Sequence, residues 1–328
     1  MALTIDGKEF SSLMLAPLAG ISDLPFRTLN RSFGCRFAFA EMISARSLVY
    51  QSANTVKMLS TSPLDRPLGI QLLGNDEEVM TRAMGILGSW DVSVINLNAA
   101  CPVDKVTRKG EGAALMKDPR KLRNILRALV QNSTSPVTLK IRSGWDQESV
   151  NAVDVALYAR EAGIKAVYIH GRTRLQRYGG NVDYRIIGEV KAALDIPVIA
   201  SGDALSPRMI GKLFDETGCD GVIIARGALG NPWIFRETME LLEKGSIVER
   251  PDIQEIMSTM AAHLSMCCDF HGEAAGTMLF RKFFTWYTKS LHGVKPLREK
   301  AFSASTKHEM LGIIGRLRVA AAVPREKG

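Results

Sequence analysis

The 328-residue chain is 46% hydrophobic and 23% charged, the balance of a globular protein with room for one large domain and one small one. Its net charge of +8 is lopsided: residues 281–328 hold eleven Lys/Arg against three Asp/Glu, while the first 280 residues hold 31 of each sign. A neutral body with a basic tail favours a polyanionic partner met by the tail. No run approaches the ~18 apolar residues of a membrane span. The five cysteines show no CxxC pair and no histidine at zinc spacing, and the start lacks an apolar leader segment. A cytoplasmic protein without a metal is therefore expected.

In chain order, short apolar segments alternate with helical patterns. Strands are predicted at Leu13–Pro17, Phe37–Glu41, Leu68–Leu72, Val92–Asn98, Val137–Arg142, Ala166–His170, Val198–Ser201 and Gly221–Arg226. Helices are predicted at Asp76–Leu87, Pro119–Gln131, Ser149–Ala162, Tyr184–Ala193 and Pro207–Thr217. Pro119 follows Asp118 and Pro207 follows Ser206, each a proline in a first turn behind a capping residue. Eight strands alternating with helices predict an α/β fold, a (β/α)8 TIM barrel. The Gly-rich dinucleotide fingerprint that an open doubly wound sheet would carry after its first strand is missing; Pro17-Leu18-Ala19-Gly20 stands there. After a linker at Arg250-Pro251 only helical patterns follow, at Ile253–Phe270, Ala275–Leu291 and about Lys300–Ala322. The expected division is a barrel over residues 1–245 and a small all-helical domain over 246–328.

Barrel chemistry gathers at the C-terminal ends of the strands. Here those ends read Pro17–Ala19, Glu41, Gln71, Asn96 with Asn98, Lys140 with Arg142, His170, Ser201 with Asp203, and Arg226. Such a row of polar and charged groups lines a pocket. The pairs Ser201-Gly202-Asp203 and Ala225-Arg226-Gly227, on the last two strands, suit a phosphate held by backbone N–H groups and a guanidinium. Lys140, inside the apolar TLKIR segment, is expected to face the barrel mouth. Around Val92–Met116 a buried strand ends in two asparagines, a Cys101-Pro102 pair and a loop with Lys105, Arg108 and Lys109. That segment reads either as a site or as a buried thiol beside a solvated loop.

These stretches resemble the tRNA-dihydrouridine synthases, most closely the B-type bacterial subfamily. The resemblance rests on AACP with its basic loop, LAPLAGISDLPFR (15–27), TLKIRSGW (138–145), YIHGRTR (168–174), PVIASGD (197–203) and IIARGALGNPWIF (223–235). It implies an oxidoreductase that uses FMN, with NADPH as reductant, to reduce the carbon 5–carbon 6 bond of a tRNA uridine. By the same resemblance Cys101 is the general acid. Pro17, Leu18, Ala19, Gln71, Lys140, His170, Ser201, Gly202, Asp203, Ala225 and Arg226 would hold the cofactor. Asn98 would meet the uracil, Arg142 the sugar or phosphate, and Tyr178 would stack on a base. Lys105, Arg108, Arg172, Arg281 and Lys282 are the further candidates for RNA contact. Two departures from the family pattern stand out: Ala99-Ala100 replaces Met-Gly before the cysteine, and Ser201 replaces Asn. Alanine is strained at positive φ, so the loop before Cys101 is expected to take an ordinary φ. Two other readings compete: a barrel flavoenzyme acting on a free small molecule, such as a dihydroorotate dehydrogenase relative, and a non-catalytic RNA-binding barrel.

Overall fold

The computed structural model describes residues 2–246 and 250–318. The chain opens with an antiparallel hairpin, β1 (Ala2–Ile5) and β2 (Lys8–Ser11), which the sequence reading did not anticipate. Its turn, Asp6-Gly7, has φ of 51° and 73°, the doubly positive geometry of a two-residue hairpin loop. Leu3, Ile5 and Phe10 of this hairpin are buried with Phe37, Phe39, Tyr168, Ile199 and Ile223 of the barrel interior. Phe10, Phe37, Phe39 and Tyr168 form an edge-to-face chain with centroids 5.1, 5.1 and 5.6 Å apart, filling the barrel with rings rather than leaving a pore.

The parallel strands β3 (Leu13–Leu15), β4 (Ala38–Phe39), β5 (Ile43–Ser44), β6 (Leu68–Leu73), β7 (Val94–Asn98), β8 (Val137–Arg142), β9 (Val167–His170), β10 (Val198–Ser201) and β11 (Gly221–Ile224) form one sheet. It closes into an eight-membered barrel because β4 pairs with β6 while β5 continues the β4 stave beyond it. Register places the site. Gln71 lies beside Asn96, Asn98 beside Lys140, Arg142 beside His170, and His170 beside Ser201. The polar strand ends are thus level with one another around the mouth.

The barrel helices begin where their caps dictate. Asp76, Asp118, Asp183 and Ser206 each accept a backbone N–H from the first turn of Glu77–Leu87, Pro119–Gln131, Tyr184–Ala193 and Pro207–Thr217. Beyond Ile234–Lys244 the described residues hold four more helices, Ile253–His271, Glu273–Tyr287, Lys295–Ser303 and Lys307–Gly315. The last two replace the single helix expected from about Lys300, because Thr306 and Glu309 form a reciprocal capping box that starts a new helix. Its expected end at Ala322, with Arg325 and Lys327 of the basic tail, lies outside the described residues. Phe280, Phe283 and Phe284 of the second helix are wholly buried, and Phe283 stacks on Phe26 of the barrel helix Leu24–Ser32 at 5.7 Å. No helix among the described residues is long and apolar enough to cross a membrane.

Candidate active site

A cleft of ≈ 450 Å³ opens at the C-terminal mouth of the barrel. One wall is a ladder of buried amides. Asn96 Nδ2 donates to Thr138 Oγ1 (2.9 Å), Gln71 Nε2 to Asn96 Oδ1 (2.8 Å) and Asn98 Nδ2 to Gln71 Oε1 (2.7 Å). Asn98 Oδ1 then accepts the backbone N–H groups of Ala100 (3.0 Å) and Cys101 (2.8 Å). A chain of strand-end side chains therefore fixes the loop that carries the thiol. Asn98 spends its amide oxygen on that loop, which makes it an anchor for Cys101 as well as part of the cavity wall.

Two further contacts lock this loop. Cys101 O accepts from Ala113 N (3.0 Å), and Gly112, at φ 60°, lies so close that a Cβ there would come within 2.8 Å of the same oxygen. Arg142, 2% exposed, donates through Nε to Ala100 O (2.7 Å) and through Nη1 to Thr173 O and Arg177 O (both 2.9 Å). Neither Ala99 nor Ala100 has a positive φ, as expected for alanine. The half-buried Cys101 thiol is pushed up from its ordinary pKa by burial, which outweighs the lowering by the Val103 backbone and Arg142. It is a protonated thiol at neutral pH.

The opposite wall is cationic. Arg172 grips Asp203 through both nitrogens (3.0 and 2.6 Å), and Arg226 Nη2 reaches the same carboxylate at 2.8 Å. Lys140 and Arg142 line the cleft as well, and among the described residues no second carboxylate does. His170 is held well below its usual pKa, first by burial and then by Arg142, Lys140, Arg172 and Arg226, so its ring is neutral. Burial, helped by Arg142, lowers Lys140 to about 8. Gly202, at φ 117°, leaves room where a Cβ would lie 2.8 Å from the His170 ring. Three cations, Lys140, Arg142 and Arg226, line the cleft with the one carboxylate of Asp203, beside a bare backbone segment, and form a cradle for an anionic group. That donor set fits a flavin phosphate and ring.

The structure brings most of the expected residues together. Pro17, Leu18, Ala19, Gln71, Asn98, Cys101, Lys140, Arg142, His170, Tyr178, Ser201, Gly202, Asp203, Ala225 and Arg226 all line the cleft. Tyr178 is 55% exposed at the rim, with the guanidiniums of Arg142 and Arg226 at 5.8 and 5.4 Å from its ring. Lys105, in the short helix Asp104–Thr107, and Arg108, which caps it, are exposed, and neither is a source of the shift at Cys101.

Three assignments change. Arg172 is not a rim residue: it is 2% exposed and also bonds the carbonyls of Gly179 and Gly180, so it folds the Tyr178 loop instead of meeting RNA. Arg281 donates twice to Ala304 O (3.1 and 2.8 Å), tying the C-terminal helices together. Lys282 is turned towards the loop after β3, where Nζ donates to Gly20 O. The sequence reading also missed Asp104, which pairs with Arg174 and with Arg177 at 2.6 Å, joining the loops after β7 and β9. Arg177 sits at φ 50°, a turn conformation with no residue-type signal.

The comparisons with known proteins agree with this geometry. The family model described as Dihydrouridine synthase (Dus) matches residues 14–322. The tRNA-dihydrouridine synthase B of Pseudomonas putida is 37% identical over 290 residues, 88% of this chain and 86% of its own. That of Pasteurella multocida is 36% identical over 305 residues, 92% of each chain. Among solved structures, a 2-naphthoyl-CoA reductase complex superposes with TM-score 0.58 at 10% identity, over 73% of this chain and 51% of its own, a likeness of fold alone. The barrel, its cleft and a match across nearly the whole chain lead to one conclusion: this protein belongs to the dihydrouridine synthase family.

Proposed function

We propose that the chain reduces the carbon 5–carbon 6 double bond of a uridine in tRNA, in the cytoplasm, with FMN as its flavin, NADPH as reductant and Cys101 as proton donor. Family membership and the relatives named tRNA-dihydrouridine synthase B support the reaction and the tRNA substrate. The observation that carries the cofactor reading is the excess of cations over carboxylates around the cleft. When bound, a reduced flavin supplies the hydride for carbon 6.

The chain's own residues supply the rest. Arg226 and the backbone at Ser201-Gly202 would hold the phosphate, with Ser201 offering a hydroxyl where the family pattern has an amide. Lys140 would stabilise negative charge on the ring. Cys101, kept protonated by burial, holds the proton that carbon 5 takes. A uridine inside folded tRNA must leave its stack to reach the cleft. Lys105 and Arg108 would hold backbone phosphates at the mouth, and Tyr178 would face the extruded base. Residues 1–245 would be the catalytic domain, and 246–328 a helical tRNA-binding domain.

Flavin binding as a function of pH tests the cofactor reading. Lys140 deprotonates near pH 8 in the ligand-free chain, and the negative charge of a reduced flavin ring beside it raises that value again. Binding of reduced FMN therefore takes up a proton above pH 8, and its affinity should fall between pH 8 and 9 with a slope approaching tenfold per unit. Lys140→Met should bind weakly at pH 7 and lose the slope. The linked effect on folding has a fixed sign. Between about 8 and 10.5 the unfolded chain holds a proton that the folded chain has released, so ligand-free stability rises with pH there. A parent whose affinity for reduced FMN is flat from pH 7 to 9 would take the charge-stabilising role away from Lys140.

A further inference from the structure

The cleft wall formed by Pro17, Leu18 and Ala19 is not held by the barrel alone. The next residue, Gly20, at φ 69°, is gripped on both sides of its peptide group. Its N–H donates to the Glu41 carboxylate, just beyond β4, and its carbonyl accepts from Lys282 Nζ on the helix Glu273–Tyr287. Three residues on, Asp23 Oδ2 pairs with His271 Nε2 at 2.7 Å, at the end of the helix Ile253–His271. The aromatic stack of Phe26 on Phe283 lies behind these contacts, and Lys282 Nζ is 5.3 Å from the Phe283 ring. The helical domain thus holds the first loop of the barrel at two polar points over one apolar seam.

From this arrangement we propose that Lys282 is a positioning residue for the cofactor site. It clamps Gly20 against Glu41, so that the C-terminal helices set where the Pro17–Ala19 wall stands. The inference rests on the reading of the cleft as a flavin site. Lys282 is poorly placed to bind phosphate: it is half-buried, and the carboxylates of Asp23 and Glu41 act on it. Those two carboxylates would repel an incoming phosphate while they hold the ammonium in place. Glu41, for its part, is pushed above the ordinary carboxylate range by burial, with the Gly20 N–H and Lys282 pulling it back. The clamp is therefore a set of polar groups that satisfy one another at the domain boundary and have little to offer a solvent-side ligand.

The test compares the full-length parent with Lys282→Met and Lys282→Arg. The readouts are the FMN dissociation constant, the visible circular dichroism of bound FMN, and tRNA affinity across a salt series. Lys282→Met is expected to weaken FMN binding about tenfold and change the dichroism. Its tRNA affinity should stay within twofold and its salt slope unchanged. Lys282→Arg, which keeps a cationic donor, should recover most of the FMN affinity. Unchanged FMN binding with weaker tRNA binding and a salt slope flatter by a little under ~1 would make Lys282 a phosphate contact and overturn the proposal. A lower melting temperature with FMN binding and dichroism unchanged would overturn it too, leaving a tie between domains. If Lys282→Met does not fold, Glu41→Ala removes the other half of the clamp, and unaltered FMN affinity in that variant is equally fatal. A parent that binds no FMN would show instead that the flavin reading of the cleft is wrong, and this inference would go with it.

Discussion

Cys101→Ala should retain its flavin and still allow NADPH to reduce it, while dihydrouridine formation on tRNA falls by ~10²-fold or more, the scale of a lost general acid. The reason lies in how the loop is built. Cys101 is held by its own backbone, through Asn98 Oδ1 on one side and Ala113 N on the other, and its neighbour Ala100 by Arg142. Truncation at Cβ removes the sulfur and leaves these contacts in place. The cationic wall, at Arg172, Asp203 and Arg226, makes no use of the thiol. Stopped-flow reduction of the flavin and product analysis on tRNA separate the two halves of the reaction. Product formation within threefold of the parent would take the proton-donor role away from Cys101.

The largest effect on stability is expected at Asp65. Its side chain and that of Arg27 are completely buried, with Arg27 Nη2 at 2.7 Å from Asp65 Oδ2, and Arg31 Nε bonds the other oxygen at 3.0 Å. Arg27 also donates to Ser22 O (2.6 Å) and Ser60 O (2.7 Å), so it joins the loop after β3 to the segment before β6. Asp65→Ala leaves a buried guanidinium without its counter-ion, which costs about 3–5 kcal/mol. For a chain of this size that is a fall in melting temperature of roughly 4–7 °C. A loss under about 1 kcal/mol would place the pair in the class of exposed ion pairs. Ser22 Oγ accepts the Leu18 N–H at 2.8 Å, so the same variant should also loosen the cofactor wall.

The barrel was legible because its signals are local. Apolar segments of strand length, proline behind a capping residue and polar residues at strand ends each report on their own few neighbours, and Pro119–Gln131, Tyr184–Ala193 and Pro207–Thr217 run between the residues the sequence indicates. The hairpin carried a local signal as well, Asp6-Gly7 between alternating residues. It was missed because each strand is only four residues long. What the sequence does not encode locally is which way a long cationic side chain turns. Arg172, Arg281 and Lys282 sit in loops or helices that read as solvent-facing, and each is instead committed to a carbonyl brought close by tertiary folding. Arg142 and Asn98 show the same limit at the site. Their place at the cleft follows from strand position, but the bonds that tie them to the Cys101 loop depend on how the loops after β7 and β9 fold over one another.

The most direct measurement mixes the purified FMN-loaded protein and NADPH with unmodified tRNA in one reaction and free uridine in another, then maps dihydrouridine along the tRNA. The account predicts dihydrouridine at one defined uridine or a small set of them, formed by the parent and not by Cys101→Ala, with free uridine essentially untouched. Reduction of free uridine at a comparable rate would make this a small-molecule enzyme. A flavin that NADPH reduces while tRNA stays unmodified would contradict the central claim outright.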